Sequence, residues 1–564
     1  MEKRDILTRI IIKGMIKKGY HDLKMMHRNT VDAGEKNRKL LFRILEVNKN
    51  SEYGRRYHFD EIKTIEDFRR MVPVSEFSDY EEYIVRMVDG GEENLLTSLP
   101  LVGYAQSSGS VGKRKFVPLT QPEVDIYTRY TVTRMLALAD RYSRKYRGRG
   151  LKAARGMFTC PAFNDILPDG TICSNIADVA ARQLGFIYPY ILSDPLKNRL
   201  TDQEIETKYI ISRFALEDRD IIYMFSVFFR EISSIFDFLE KNWPVIVKDI
   251  EEGSISELAK ATPEAMDRLK SVLKPNPERA AELRTEFEKG FDSTLIQRLW
   301  PNMSVICGIG TSTFTPFSKK VRRYADGVPF DYSIYGASEG LFAAVDELDT
   351  AAQLMLVDSC YYEFIPQNED GGSEDRMLEI DELEEGREYE IVITNQSGLY
   401  RYRCGDVIKV VGHLNDCPYI QFSYRKGQLL NICGEKTTEE HMAAVVKEIG
   451  KASGCTVTDW AVVSRLEEHP YYYELLLENK EGKDLSGYAD NAHEILKAVN
   501  PRYDYFYNMD AVGKIQIRNL ECGTQKAWAD MKVKNGTPES TVKPVRILDT
   551  AEKKQFFQAR IIEE

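Results

Sequence analysis

Three stretches of the chain hold residue types suited to handling a nucleotide. Ser107-Ser-Gly-Ser-Val-Gly-Lys-Arg-Lys115 gathers serines, glycines and cationic side chains in one short run. Glycines let several backbone N–H groups turn toward one anion, and serine hydroxyls and a lysine add donors, so the segment reads as a phosphate loop. A Walker A loop is excluded, because the position five before Gly112 is Ser107 and Lys113 is followed by Arg114. Tyr335-Gly-Ala-Ser-Glu-Gly340 sets the carboxylate of Glu339 among small residues in a turn, within reach of a hard cation such as magnesium. Tyr400-Arg-Tyr-Arg-Cys-Gly-Asp406 places Asp406 at a glycine turn after a strand, where it can accept the two hydroxyls of a ribose. Each stretch alone also fits a structural role: a surface turn, a core tyrosine, a turn aspartate with paired arginines.

The elements that must position these residues follow from periodicity. The first ninety or so residues read as helices, with Leu40, Leu41, Ile44 and Leu45 on one face. From Leu101 onward short apolar runs alternate with helical stretches. Gly156-Met-Phe158, Ile221-Ile-Tyr-Met224 and Val305-Ile-Cys307 predict strands of a largely buried sheet, and hence an α/β fold. Arg230 to Gly290 reads as a helical insertion, with Ile232, Ile235, Phe236 and Leu239 and later Ala265, Leu269 and Val272 at helical spacing. In Gly386 to Thr394, Tyr389, Ile391 and Ile393 alternate with polar residues as in a strand, and Lys409-Val-Val is a second strand. Gln367 to Asp375 is turn-rich and expected to be an exposed loop. Thr437-Thr-Glu-Glu440 offers a capping box for a helix carrying Met442, Val445, Val446 and Ile449. A domain boundary is placed just before it, near Tyr424 to Gln428. The expectation is a large N-terminal domain, residues 1–425, with sheets packed against helices, and a smaller mobile α+β domain, residues 426–564.

Composition narrows the function. The 564 residues carry a formal net charge of -11, which argues against a nucleic-acid surface. Arg9, Lys13, Lys17 and Lys18 interrupt any leader-peptide core near the N-terminus, so an amphipathic surface helix is expected there. The apolar run Ile221 to Phe229 is too short to span a bilayer. Nine cysteines without a Cys-x-x-Cys pair indicate free thiols and a cytoplasmic protein, and no structural zinc site.

The order of the three stretches along the chain resembles the adenylate-forming (ANL) superfamily of acyl-CoA ligases, adenylation domains and luciferases. Glu52-Tyr-Gly54, Phe59-Asp-Glu-Ile62, Asp67-Phe-Arg, Val72-Pro-Val, Trp243 to Gly253, Tyr402 to Val407 and Arg425-Lys-Gly-Gln-Leu-Leu430 narrow the match. They resemble the auxin-responsive acyl acid amido synthetase (Gretchen Hagen) family, in a bacterial member, over most of the chain. The resemblance implies that Ser107, Ser108, Gly109, Ser110 and Lys115 hold the ATP phosphates, that Tyr335 flanks the adenine with Ser338 beside it, and that Glu339 binds Mg2+. It implies that Asp406 clamps the ribose, that Arg425 sits beside the nucleotide, and that Lys426 to Gln428 form a hinge. Lys436 becomes a contact from the second domain, and Lys543 in Val542-Lys-Pro-Val-Arg546 the lysine that closes over the α-phosphate. One departure is Ser110-Val111, where a second hydroxyl is common. The implied reaction activates a small carboxylic acid as an acyl-adenylate and passes the acyl group to an amino acid or small amine. Two alternatives stand beside it: an acid–thiol ligase, with Gly434 near a path for coenzyme A, and an inactive nucleotide-binding scaffold. The acid pocket is expected from Tyr127 to Leu138 and from Cys307 to Thr313. Arg134 is read as a solvated surface residue, or else as the partner of a second substrate carboxylate.

Overall fold

The computed structural model describes residues 3–562 except 108–114, 160–164, 168–170, 175, 184, 195–204, 312–314, 368–376, 426–429, 431, 433–434, 436, 468–469, 509–511, 536 and 538–541. The expected exposed loop at 367–375 therefore falls almost wholly outside the described residues. The chain opens with the helices Lys3–Asn29 and Ala33–Asn48. The second buries Leu40, Leu41, Ile44 and Leu45, the face that the spacing predicts. The first buries Ile12, Leu23 and Met26 and leaves Ile6, Leu7 and Ile10 exposed, as an amphipathic surface helix does. No helix among the described residues is long and apolar enough to cross a membrane.

The three apolar runs lie side by side in one parallel sheet, in the order Gly156–Phe158, Tyr223–Phe228, Val305–Ile309, Phe330–Asp331. Parallel strands need crossovers that cover both faces of a sheet, which is why these runs are apolar without alternation. The predicted helical insertion covers one of those faces. Its first helix, Phe229–Glu252, buries Ile232, Ile235, Phe236 and Leu239, and Pro263–Lys270 and Pro277–Glu288 share that core. The first helix stops at Gly253, whose φ is 67° and where an added Cβ would lie 2.5 Å from the Pro275 nitrogen. Only glycine meets both demands.

A second sheet runs Lys115–Thr120, Leu101–Ser107, Ile172–Ser174, Asp165–Ile166. Its first two strands pair antiparallel with Ser107 opposite Lys115, the two residues at the ends of the phosphate-loop segment. The third sheet is antiparallel, in the order Tyr361–Pro366, Glu388–Thr394, Tyr402–Leu414, Cys417–Arg425, Gln353–Met355, Gly340–Ala344, Ile334–Ala337. Glu388–Thr394 forms the expected strand, and it is buried on both faces. Glu390 and Val392 are as buried as Tyr389 and Ile391, and the Glu390 carboxylate is tolerated inside because Arg403 grips it at 2.8 Å through both Nε and Nη2.

Beyond Arg425 the chain forms a smaller α+β unit. Its sheet is Val457–Arg465, Tyr472–Asn479, Gln516–Asn519, packed with Glu439–Ser453, Ala489–Val499 and Thr524–Lys534. The helix cap sits one residue later than expected: Thr438 pairs reciprocally with His441. Thr437 is unavailable because its hydroxyl accepts from Asn500 Nδ2 at 3.0 Å and its backbone bridges to Leu430.

Candidate active site

The acidic turn and the aspartate strand meet in one cleft. Ser338 and Glu339 form the turn between the paired strands Ile334–Ala337 and Gly340–Ala344, and Asp406 lies on Tyr402–Leu414 opposite Arg425. Side chains close the gap between these strand pairs. Tyr335 Oη donates to Asp406 Oδ2 at 2.9 Å, Arg425 Nε donates to Asp406 Oδ1 at 2.5 Å, and Tyr402 Oη donates to Glu339 Oε1 at 3.3 Å. Asn395 Nδ2 holds the Glu339 carbonyl oxygen at 2.8 Å. Asp406 was expected at a turn; it lies inside a strand, next to Gly405 at φ 72° and an irregular pairing step between Val407 and Ile408. Such a bulge turns a strand side chain out of its regular direction while keeping the ladder.

The charges here are tightly balanced. Burial opposes the Arg425 charge, yet the Asp406 carboxylate outweighs it and holds the guanidinium firmly protonated. Burial raises the Glu339 carboxyl above its usual range, with Arg425 opposing. Burial and the adjacent Asp406 carboxylate keep the Tyr335 phenol neutral. Each Asp406 oxygen receives one donor from the protein, and a carboxylate offers about four lone-pair sites, so capacity for two more hydroxyls remains.

Lys543 reaches this cluster from the smaller unit. Its side chain is open to solvent, yet the protein crowded around it holds the ammonium below the ordinary lysine range, and Arg425 adds to the depression. Asp406, Glu439 and Glu339 pull the other way, which places Lys543 in the field of the residues read as ribose and metal ligands. Ser108, Gly109, Ser110 and Lys436 lie outside the described residues; of Ser107 and Lys115 only the backbone pairing is described. The foot of their strand pair is tied to the acidic turn through three consecutive residues. Thr120 N donates to Ser397 Oγ at 3.1 Å, Gln396 N donates to Glu123 Oε1 at 3.2 Å, and Asn395 holds Glu339.

A partly open cavity lies beside the parallel sheet. The helix Gln121–Thr128 and the π-helical turn Arg129–Thr133 supply Tyr127, Thr128, Thr131 and Val132, so the first expected pocket stretch is in place. Of the second, Cys307 to Thr311 are not on the wall and residues 312–313 lie outside the described residues: Cys307 is buried in the core, and Phe158, Tyr223 and Phe225 of the two neighbouring strands line the cavity. No lining residue carries a charge among the described residues. The hydroxyls of Thr128, Thr131 and Tyr223 already donate to the carbonyls of Val124, Tyr127 and Ile191. Arg134 is neither solvated nor free for a substrate: it is fully buried, paired through Nη2 with both Asp331 oxygens at 3.0 and 3.1 Å and bonded to the Val345 and Tyr130 carbonyls.

Family models match three consecutive parts of the chain: the GH3 family N-terminal domain over residues 22–330, its central domain over 353–425 and its C-terminal domain over 439–552. The chain belongs to the GH3 family. Among its relatives in the family, an indole-3-acetic acid-amido synthetase GH3.6 of Arabidopsis thaliana is 25% identical, covering 98% of this chain and 94% of its own. A jasmonoyl–L-amino acid synthetase JAR4 of Nicotiana attenuata is 29% identical, with 92% and 91% covered. The fold is that of the AtGH3.15 acyl acid amido synthetase solved in complex with 2,4-DB, with a TM-score of 0.80 at 22% identity over 97% of this chain and 96% of that one. The resemblance read from the motifs is thereby borne out, as are the α/β architecture and the ligase class. Two participants escaped the sequence reading. Tyr402 lay inside a recognised motif without a role, and Asn395 follows a strand and carries no motif.

Proposed function

We propose that this GH3 chain uses ATP to convert an apolar monocarboxylic acid into its acyl-adenylate and then joins the acyl group to the amine of an amino acid. The observation that carries the reading is that side-chain hydrogen bonds join Tyr335, Asp406 and Arg425, with Glu339 held close by, and that Lys543 of the smaller unit lies in the field of the same charges. Asp406 would accept the ribose hydroxyls while Tyr335 and Arg425 fix its orientation. The segment from Ser107 to Lys115, with Ser108, Gly109 and Ser110, would hold the phosphates. Ser338 lies in the same turn as Glu339, and Lys436 would approach from the smaller domain.

Glu339 suits Mg2+, since its carboxylate is anchored through its own carbonyl and no cluster of three or more ligating residues exists among the described residues. Magnesium is commonly held by one or two carboxylates together with substrate phosphates. When bound, it would offset negative charge on the phosphate oxygens. The acid's carboxylate oxygen attacks the α-phosphorus; the new C–O–P bond forms as the bond to the β-phosphate oxygen breaks, and pyrophosphate leaves with the electron pair. Lys543, protonated, stabilises the charge that develops there. In the second step the amine nitrogen attacks the acyl carbon, AMP departs with the C–O electron pair, and the nitrogen gives up a proton.

The uncharged cavity sets the acid class. A second carboxylate buried there would find no cation on the described walls, and an unpaired buried charge is costly. The relatives named for indole-3-acetic acid and for jasmonoyl conjugates are consistent with a wall of this kind. The division at residue 425, with a hinge over 426–428, would let the smaller domain withdraw Lys543 before the amine enters. The test is magnesium-dependent ATP–pyrophosphate exchange with benzoic, phenylacetic, indole-3-acetic, octanoic and phthalic acids. Exchange with the apolar monoacids and none with phthalate is expected; exchange with none of them sinks the reading. Mass spectrometry of products formed with coenzyme A or an amino-acid pool separates thioester from amide.

A further inference from the structure

Val542, the residue before Lys543, has a carbonyl oxygen that accepts a hydrogen bond from Arg230 Nη1, across the boundary between the two domains. Arg230 is the second residue of the helix Phe229–Glu252, which begins where the strand Tyr223–Phe228 ends. Glu231 steadies the guanidinium from the other side, its Oε1 lying 3.4 Å from Nε and 3.3 Å from Nη2, and Glu231 is itself buried. A cation on a rigid helix end thus grips the main chain of the segment that carries the closing lysine.

On its own domain that segment is fixed independently. Gln525 brackets Val545, with Nε2 donating to the Val545 carbonyl at 2.6 Å and Oε1 accepting from Val545 N at 3.0 Å. Arg546 bonds Asp459 and, at 2.7 Å, the Trp460 carbonyl. Residues 542–546 therefore travel with the smaller domain. Losing the Arg230 contact would leave their local shape intact and weaken only their seat on the large domain. The acceptor is a backbone carbonyl, so the contact specifies where residue 542 sits and not which side chain it bears.

We propose that Arg230 is a positioning residue that seats the Val542-Lys543 segment over the nucleotide cleft for adenylation and plays no part in acyl transfer. The proposal rests on the reading of Lys543 as the adenylation lysine. A contact made only in the closed arrangement stabilises that arrangement alone, so its loss raises the barrier to the first half-reaction.

Arg230→Gln, Arg230→Lys and Lys543→Ala are compared in the full chain. One assay is pyrophosphate exchange with the best acid of the panel above; the other is amide formation from the synthetic adenylate of that acid with the amino-acid pool. Loss of one charge-assisted hydrogen bond predicts that Arg230→Gln lowers exchange by about tenfold to a hundredfold, with transfer unchanged or faster. Arg230→Lys should recover most of the exchange. Equal losses in both half-reactions, as a merely structural role would give, overturn the proposal. So does full exchange in Arg230→Gln while Lys543→Ala abolishes it. Full exchange in Lys543→Ala locates the failure in the reading of the lysine, and the proposal falls with it.

Discussion

The proposed nucleotide cleft and the proposed acid cavity are built by opposite means. In the cleft, charged groups are kept and each is held by a neighbour: Asp406 by Tyr335 and Arg425, Glu339 by Tyr402 and Asn395. Around the cavity, charge is withdrawn. Arg134 stands only one residue beyond the π-helical turn that lines it, yet is spent entirely on Asp331 and two carbonyls. The contrast teaches that the chemistry common to all substrates depends on a few oriented charges, whereas discrimination among acids rests on shape and on keeping polar atoms occupied.

The largest expected effect lies on the cavity side and touches stability. Asp331→Ala strands the Arg134 guanidinium in the interior and should cost about 3–5 kcal/mol in denaturant unfolding. A loss below 1 kcal/mol would mean that Arg134 reorients toward the cavity, and the contrast would fail. Next comes Lys543→Ala, which should lower exchange by about 10²–10³ and leave transfer from supplied acyl-adenylate much less affected, as for removal of one oriented donor. If the ammonium is the working form, its depressed pKa means that exchange in the parent should fall as pH rises through a value below that of an ordinary lysine. An alkaline limb that persists unmoved in Lys543→Arg would assign it to another group.

Asp406→Ala should weaken ATP binding by roughly 2–4 kcal/mol, two charge-assisted hydrogen bonds' worth, in calorimetry without acid. Unchanged affinity would remove Asp406 from the cleft's function. At the seam of the two regions, Glu123 is buried with Oε2 lacking a partner among the described residues, and burial pushes its carboxyl up to about 7 from 4.5. Between those values the unfolded chain releases the proton first, so this group lowers stability as pH rises, by about 3 kcal/mol across the window. Glu123→Gln should remove that part of the slope when both proteins are unfolded at pH 4.5, 5.5 and 7; identical slopes would show the carboxyl ionised inside the fold. The smallest effect is Ala180→Leu, which fills part of the cavity and should shift kcat/KM toward smaller acids by about 1–3 kcal/mol with ATP affinity unchanged. A matching loss in ATP affinity would merge the two regions into one.

Local signals in the sequence carried the architecture far and the site only part-way. Three apolar runs without alternation announced the parallel sheet, because burial on both faces leaves no polar side. The order of the serine–glycine run, the Glu339 turn and the Asp406 strand pointed to the nucleotide, because each group's chemistry is local. What escaped was pairwise and long-range. Arg134 looked exposed until Asp331 was found beside it, and Thr437 looked like a cap until Asn500 claimed its hydroxyl. None of those partners lies within one helical turn of its mate, so no periodicity could register them.

The strand Tyr223–Phe228 serves two masters: Tyr223 and Phe225 form part of the cavity wall, and its end passes directly into the helix that carries Arg230. Attempts to widen the range of acids by mutating this strand should therefore drag turnover along with selectivity. Ala177 and Ala180, on the helix Ile176–Gln183, lie outside that strand and the helix it enters, and are the better place to begin retargeting the enzyme.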